Sequence, residues 1–207
     1  NMLALLTGGV VTAEIAAGSA TSINNALASA DAADALTITL TDATITAEVL
    51  NALDAKTSVE IDAASIVAVA GGLGALLAAY TGDVTGLGDE ALTVTTSPIG
   101  VGNANDIAGL TTGAVTATIA DGDLATLNNL AETGHAYAVT VTDPTAAAWA
   151  LTALASKTSV PVNAAAVQSV TGTDHAELSA LYAAGSAGRI TGLGNEAVTA
   201  TTALSLA

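Results

Sequence analysis

The side chains with the most evident chemistry in this sequence are carboxylates, and three local groups of them stand close together. They are Asp121 with Asp123, Asp89 with Glu90, and Glu60 with Asp62. Carboxylate oxygens are the ligands that calcium prefers, so each group is a candidate calcium site. None has the spacing of an EF-hand loop or of a glycine–aspartate calcium repeat. We therefore favour helix caps and solvated surface as their role and keep calcium binding as an alternative.

Signatures of catalysis are weak. His135 and His175 are the only two histidines, and neither lies in a metal-binding spacing such as HExxH. The Thr-Gly-Leu-Gly stretches at 85–88 and 191–194 lack the glycine spacing of phosphate-binding loops, so they predict turns. The absence of cysteine excludes disulfides, thiolate chemistry and sulfur-ligated metals. The sequence thus predicts a protein that is not an enzyme, and it assigns no catalytic, cofactor or metal residues.

Threonine at alternate strand positions is a second pattern with a chemical interpretation. On parallel strands ~4.8 Å apart, outward Thr-x-Thr pairs would form a flat lattice of methyl and hydroxyl groups, which resembles an ice-binding surface. The simpler interpretation is a solvated sheet face, where threonine is a favoured β-former. The predicted outward set is Thr12, Glu14, Thr39, Thr41, Glu60, Asp62, Thr93, Thr95, Thr116, Thr118, Thr140, Thr142, Pro161, Asn163, Thr199 and Thr201.

Trp149 is the single tryptophan and occupies the position of Glu48 in an earlier copy of its segment. A position that accepts Glu is partly exposed, so Trp149 is a candidate contact for a partner or a sugar. We favour the alternative that its ring packs flat against a neighbouring helix. Lys56 and Lys157 each follow a predicted helix, where a cation complements the negative end of the helix dipole.

The chain is a tandem repeat. KTSVEIDAASIVAVAG at 56–71 returns as KTSVPVNAAAVQSVTG at 157–172 with eight of sixteen positions identical. TGLGDEALTVT at 85–95 returns as TGLGNEAVTAT at 191–201 with eight of eleven identical. The sequence therefore predicts two supra-repeats, residues 1–105 and 106–207.

Hydrophobic periodicity predicts alternating strands and helices. The predicted strands are 10–16, 36–41, 59–63, 92–95, 137–142, 160–163 and 197–201. The predicted helices are 20–29, 43–55 with Asp42 as N-cap, 73–80, one opened by Asp143 and Pro144, and 175–184 with Asp174 and Glu177 as a capping box.

A strand then recurs about every 23 to 37 residues and is followed by one helix, which is the period of a leucine-rich-repeat-like solenoid. We therefore expect an α/β fold, a right-handed βα solenoid with one parallel sheet and a row of helices. The alternative is a doubly wound α/β domain, which needs strands that are apolar on both faces. The polar outward set favours the solenoid, although Pro161 removes a ladder donor from its strand.

Composition restricts the partners. The net charge of −16 repels phosphate backbones and anionic lipids, so nucleic acid is excluded as a partner. Residues 63–82 are uncharged over the length of a membrane span. The matching segment of the second copy carries Asp174, His175 and Glu177, so we expect no membrane insertion.

The repeat motifs resemble those of giant, Ala/Thr/Gly-rich exported cell-surface proteins of marine cyanobacteria, including proteins tied to swimming motility. The resemblance is carried by ALDAKTSVEIDAAS and ALASKTSVPVNAAA, each followed by an Ala-Tyr helix and TGLG(D/N)EA. It implies an extracellular location and a structural, adhesive or motility-related role, and it supplies no catalytic residues. We expect a stiff spacer or filament unit that associates with itself or with flanking repeats, since neither end carries an evident cap. The alternative is a solenoid that binds ice or glycans through its threonine face, with calcium as a possible stabiliser.

Overall fold

The computed structural model describes residues 9–131 and 133–202, and in them the protein is a mixed α/β structure with parallel sheets. Fourteen short strands and seven helices occur in that part of the chain. In chain order they are β1 Thr12–Glu14, α1 Ala20–Ala26, β2 Ala35–Thr37, β3 Thr44–Thr46, α2 Ala47–Asp54, β4 Ile61–Asp62, β5 Ala68–Gly71, α3 Leu73–Ala79, β6 Val84–Thr85, β7 Ala91–Val94, α4 Val101–Ala108, β8 Val115–Thr118, α5 Leu124–Leu127, β9 Ala136–Ala138, β10 Thr145–Ala147, α6 Ala148–Lys157, β11 Val162–Asn163, β12 Ser169–Gly172, α7 His175–Ser186, β13 Ile190–Thr191 and β14 Ala197–Ala200.

The described residues form two compact units. The first runs to Thr96 and includes Gly109–Ala114, and the second comprises Ser97–Ala108 and the chain from Val115 onward. The predicted boundary between residues 105 and 106 falls within α4. That boundary concerns the sequence repeat and stays a prediction.

Parallel pairing in the first unit follows a nearly constant step along the chain. β1 pairs with β2, β4 with β6, and β5 with both β3 and β7. Ile61 lies opposite Val84 and Ala68 opposite Ala91, so each of these two ladders advances by 23 residues. Successive segments of the chain therefore lie beside one another in the same direction.

The second unit has the same kinds of ladder with less even steps. β8 pairs with β9, β11 with β13, and β12 with both β10 and β14, all in parallel. Thr116 lies opposite Ala136, a step of 20 residues, whereas Val162 lies opposite Ile190, a step of 28. The longer step accommodates α7, which has twelve residues.

The prediction of one strand for each helix, in a single sheet, is wrong. Before α2, α3, α6 and α7 the chain forms two short strands in different ladders. A corner separates the two strands because Asp62 and Asn163 each accept a hydrogen bond from the backbone N–H two residues later. This Asx turn ends the first strand and redirects the chain.

The predicted start of the helix at 43–55 is also wrong. Residues 44–46 form β3, and α2 begins at Ala47 with Thr46 as its N-cap. The helix expected at Asp143 and Pro144 begins likewise at Ala148, after β10. Thr44, Ile45 and Thr46 are β-branched, which favours a strand over a first helical turn.

The predicted alternation of buried and exposed residues is confirmed in the strand around residue 38. Leu36, Ile38 and Leu40 are buried, whereas Thr37 and Thr41 are exposed. Leucines of the adjoining helices, such as Leu50 and Leu53 of α2, complete the core on the inward side. The buried apolar side chains thus lie between the strands and the helices, which is the usual arrangement when a sheet and helices pack as two layers.

None of the helices among the described residues is both long and apolar enough to cross a membrane. The uncharged segment 63–82 instead contains β5 and the seven-residue α3.

Candidate functional site

The repeated Lys-Thr-Ser motif joins neighbouring turns of the chain. The Thr57 hydroxyl donates to the Leu36 carbonyl at 2.8 Å and accepts the Leu36 N–H at 2.9 Å. The Ser58 hydroxyl donates to the carbonyl of Asp34 at 3.0 Å. Thr158 and Ser159 make the matching bonds in the second copy. The motif therefore recurs because each copy supplies the same backbone partners for the preceding strand.

The cations of this chain bind backbone carbonyls at helix ends. The Lys56 ammonium donates to the carbonyl of Leu27, the C-cap of α1, at 3.0 Å. Lys157 donates to the carbonyl of Leu130, just past α5, and Arg189 donates to carbonyls at the end of α6, including that of Ala155. Lys157 lies in the last turn of α6, close to the predicted position, whereas Lys56 lies just past α2. The hydrogen bonds of both ammonium groups go to carbonyls of the preceding turn, near the C-terminal end of another helix.

Asp42 and Asp143, expected as caps of the helices that follow them, bind helices that precede them. The Asp42 carboxylate accepts the N–H of Ala20, the first residue of α1, at 2.7 Å. Asp143 accepts the N–H of Leu124, the first residue of α5, at 2.5 Å. Each carboxylate thus satisfies a helix N–H that has no partner within the helix.

The Thr-Gly-Leu-Gly-x-Glu motifs build a hydrogen-bonded turn, as expected. Glu90 is fully buried, accepts the Gly88 N–H at 2.9 Å and receives the hydroxyl of Tyr80 at 2.6 Å. Tyr182 donates in the same way to Glu196. The Ala-Tyr helices and the Glu of the turn are therefore one structural device, present in both copies.

This device is pH-dependent in the second copy. Burial raises the pKa of Glu196, but hydrogen bonds from Tyr182, Gly194 and Asn195 outweigh it and hold that pKa below its ordinary value. Burial and the bond to this carboxylate raise the pKa of Tyr182 to about 12. Since the folded pKa of Glu196 is depressed, its contribution to stability is present above about pH 4.3 and is lost as the pH falls through the folded value.

Glu196→Gln should consequently lower the free energy of unfolding at pH 7 by about 1 to 2 kcal/mol, the low end of the range for a hydrogen bond to a charged group, because Glu196 is partly exposed. The difference in melting temperature between the variant and the parent should shrink as the pH falls through the lowered folded pKa of Glu196, because protonation removes the charge that Glu196→Gln already lacks. Thermal melts followed by circular dichroism from pH 3 to 7 measure this convergence. Glu60→Gln, at an exposed position, is the control, and a constant difference across the range contradicts the assignment.

At least one carboxylate of each candidate calcium group makes structural hydrogen bonds. Asp121 accepts the Val101 N–H at 2.7 Å, and Asp123 caps α5 by accepting the N–H of Thr126 at 2.8 Å. Glu90 holds the turn described above, and Asp62 forms an Asx turn. Within the described ranges, no group of three or more acidic, His or Cys side chains is placed to hold a metal ion.

The flat threonine lattice is wrong. Thr39 lies opposite Asp62, and Thr93 of β7 lies opposite Ala70 of β5. Residues 60–62 and 93–95 belong to different ladders, so they share no row. Thr140 likewise lies opposite Asn163. Threonine rows are interrupted by Ala, Asp and Asn because the two strands of each turn enter separate sheets.

His135 and His175 occupy separate positions in the second unit. His135 is buried, accepts the Val115 N–H at 3.0 Å through Nδ1, and has its ring centroid 5.2 Å from that of Tyr137. His175 is the first residue of α7. The capping box of that helix is confirmed in part, since Asp174 accepts the Glu177 N–H at 2.9 Å while Glu177 accepts from Thr173.

A concave surface with mixed polar and apolar walls lies in the second unit, and we term it the Trp149 groove. It has a volume of about 510 Å³ and lies between α5, β10 and the start of α6. The Trp149 side chain is 61% exposed, which agrees with the expectation of a partly exposed position; whether one face of the ring packs on a helix stays a prediction. Polar side chains on the walls are Asp123, Asn128, Asn129, Asp143 and Thr145.

The matching groove of the first unit is smaller, at about 330 Å³. Ile45 and Val49 line it where Ala146 and Ala150 line the Trp149 groove. These larger side chains fill space that the second copy leaves open. Sequence reasoning missed the groove because its walls come from two turns about twenty residues apart, although the replacement of Glu48 by Trp149 was a visible signal.

Comparisons of this chain with protein-family models, with curated proteins and with solved structures find no match. The resemblance to cyanobacterial surface proteins therefore stays a prediction.

Proposed function

We propose that this chain is a non-enzymatic structural repeat segment of an extracellular surface assembly. Its turns would stack as a right-handed βα solenoid and serve as a stiff spacer or filament unit. The observation that supports this most is the shared 23-residue step of two separate ladders, Ile61 to Val84 and Ala68 to Ala91. Equal steps in the two ladders mean that the same length of chain, 23 residues, places each strand beside its partner in the next turn.

The polar side chains support the same conclusion because they join one turn to the next. The Asn51 amide of α2 donates to the Ala75 carbonyl of α3 at 2.9 Å, and Asn105 of α4 donates to Asn129 at 2.9 Å. Together with the Lys-Thr-Ser bonds, these links stabilise contacts between adjacent turns. In repeat proteins, stability comes largely from such nearest-neighbour interfaces.

The partner in this proposal is a second copy of the chain or a flanking repeat. Val198 of β14 lies opposite Val170, which is fully buried, yet Val198 is 49% exposed. An apolar side chain at a core register position is suited to a further strand beside it. A chain that remains monomeric in sedimentation at high concentration would count against self-association.

A duplication of one turn tests the solenoid. Repeating residues 61–83 in tandem adds one register step to both ladders and keeps every native contact on either side of the insertion. We expect the variant to fold with a melting temperature within about 5 °C of the parent, since each repeat contacts only its neighbours. The measurement is circular dichroism with thermal unfolding.

The control repeats only residues 61–72, which leaves strands where helices are due. This half-turn variant should unfold or aggregate. Equal loss of structure in both variants would overturn the solenoid.

The location is tested separately by labelling intact cells of the source organism with antibodies to the chain. Signal that appears only after permeabilisation contradicts a surface role.

A further inference from the structure

Trp149 contributes little buried apolar area to the fold. Its side chain is 61% exposed at the edge of the Trp149 groove. Tryptophan carries a large apolar area, whose burial would stabilise the protein, and its flat ring is well suited to contact with a ligand. An exposed Trp beside a concave surface is thus a candidate binding platform.

In the second copy, the side chain at position 149 is not needed for the hydrogen bond that Glu48 makes in the first copy. In the first copy the Glu48 carboxylate accepts the N–H of Gly72 at 3.0 Å. The residue matching Gly72 is Thr173, and its N–H is accepted at 2.8 Å by Glu177 from within the same turn. The Glu177 carboxylate also accepts the backbone N–H of Trp149 at 2.9 Å, and this bond fixes the backbone that carries the indole.

The walls of the groove present hydrogen-bond acceptors close to this ring. Asp143 uses one carboxylate oxygen for the Leu124 N–H, and Asp123 uses one for Thr126. Asn129 donates its amide N–H to the Ala125 carbonyl at 3.1 Å. Among the described residues, the second carboxylate oxygen of Asp143 and the side-chain amide oxygen of Asn129 accept no hydrogen bond, and Asp123 accepts from Thr126 alone among the other residues.

We propose that the Trp149 groove binds a neutral oligosaccharide of β-linked hexopyranose units. One sugar ring stacks its apolar C–H face on the indole, and its hydroxyls donate to Asp123, Asn129 and Asp143. An aromatic plane bordered by a few acceptors suits a sugar, which carries apolar faces and a rim of hydroxyl donors. The groove volume of about 510 Å³ is within the range of small-molecule sites.

Charge selects the class of ligand. The net charge of the chain is −16, and hydrogen bonds from Thr126 lower the pKa of Asp123, so that carboxylate is ionised at neutral pH. Acidic polysaccharides are therefore repelled. A protein partner fits less well, because the centres of protein interfaces are depleted of Asp. This inference does not depend on the solenoid or on the surface location.

The single tryptophan makes the test direct, since tryptophan emission, excited selectively over the three tyrosines, reports the groove alone. Titration of the full chain with cellotetraose should give a saturable change in emission, and tetragalacturonic acid should give none. In isothermal titration calorimetry, Trp149→Glu, which restores the residue of the first copy, should weaken binding at least about tenfold, as expected for loss of an aromatic anchor. Asn129→Ala should weaken it by a smaller factor.

The matched control is Asn25→Ala, the equivalent position of the first copy, which should leave binding unchanged. Circular dichroism verifies that each variant is folded. The proposal is overturned if cellotetraose gives no saturable response, or if Trp149→Glu binds it as the parent does. A fluorescence change that follows protein concentration in the absence of sugar would assign the Trp149 groove to self-association instead.

Discussion

Gly192→Ala is expected to lower the free energy of unfolding by more than about 3 kcal/mol, among the largest effects of any single methyl group in this chain. Gly192 has a φ of +87°, a region that costs a residue with a side chain about 1 to 2 kcal/mol. A Cβ there would also lie 2.6 Å from the backbone N and Cα of Ala165. Backbone atoms of the preceding turn cannot swing aside, so the two turns must separate.

The control for Gly192 carries the opposite sign. Gly185 lies in α7, and a Cβ there would have its nearest neighbour at 3.8 Å. Gly185→Ala should therefore raise the free energy of unfolding by about 0.5 to 1 kcal/mol through helix propensity. Urea unfolding of the two variants measures both changes, and equal effects would show that the close approach at Gly192 is not what limits stability.

The same restriction applies to the first copy. Gly86 has a φ of +81°, and a Cβ there would lie 2.7 Å from the N of Ala64. Gly86→Ala should match Gly192→Ala in direction. The first glycine of each Thr-Gly-Leu-Gly motif is thus required by the approach of adjacent turns.

Thr57→Val is the second large effect, with an expected loss in the free energy of unfolding of about 2 to 6 kcal/mol. Thr57 is 4% exposed, and its hydroxyl bonds both the N–H and the carbonyl of Leu36. Valine keeps the shape but leaves two buried backbone groups without these partners, at about 1 to 3 kcal/mol each. For a chain of this length the melting temperature should fall by about 2 to 4 °C per kcal/mol.

Two further substitutions separate the hydroxyl from the methyl group. Thr57→Ser retains the hydrogen bonds and should be clearly more stable than Thr57→Val. Thr37→Val, at an exposed position of β2, should change stability by no more than about 0.5 kcal/mol. A Thr57→Val variant as stable as Thr37→Val would contradict the role of the motif as a link between turns.

Local sequence predicted several elements correctly because their signals are local. The cap of α7 at Asp174 and the turn at each Thr-Gly-Leu-Gly motif depend on residues within one turn of the chain. The inward Leu36, Ile38 and Leu40 were predicted from strand alternation, which is a property of adjacent residues. The parallel direction of pairing was predicted because a helix separates successive strands.

The misplaced elements depended on partners outside the local window. Asp42 has the residue type of an N-cap, and only its contact with Ala20 shows which helix it serves. β3 and β10 were assigned to helices because each is short and directly adjoins the helix that follows it. The threonine lattice failed for the same reason, since register across ladders is set by the corners and not by alternation within a strand.

The sequence by itself determined the repeat, the inward and outward faces of its strands, and the net charge of −16. These are properties of order and composition, and they hold in any arrangement of the turns. Only the tertiary structure decided which helix each Asp and Lys serves, which threonines share a row, and that Trp149 borders an open groove. Each of these depends on contacts between side chains of different turns. Such contacts form only when the turns pack against one another, so the sequence of a single turn does not specify them.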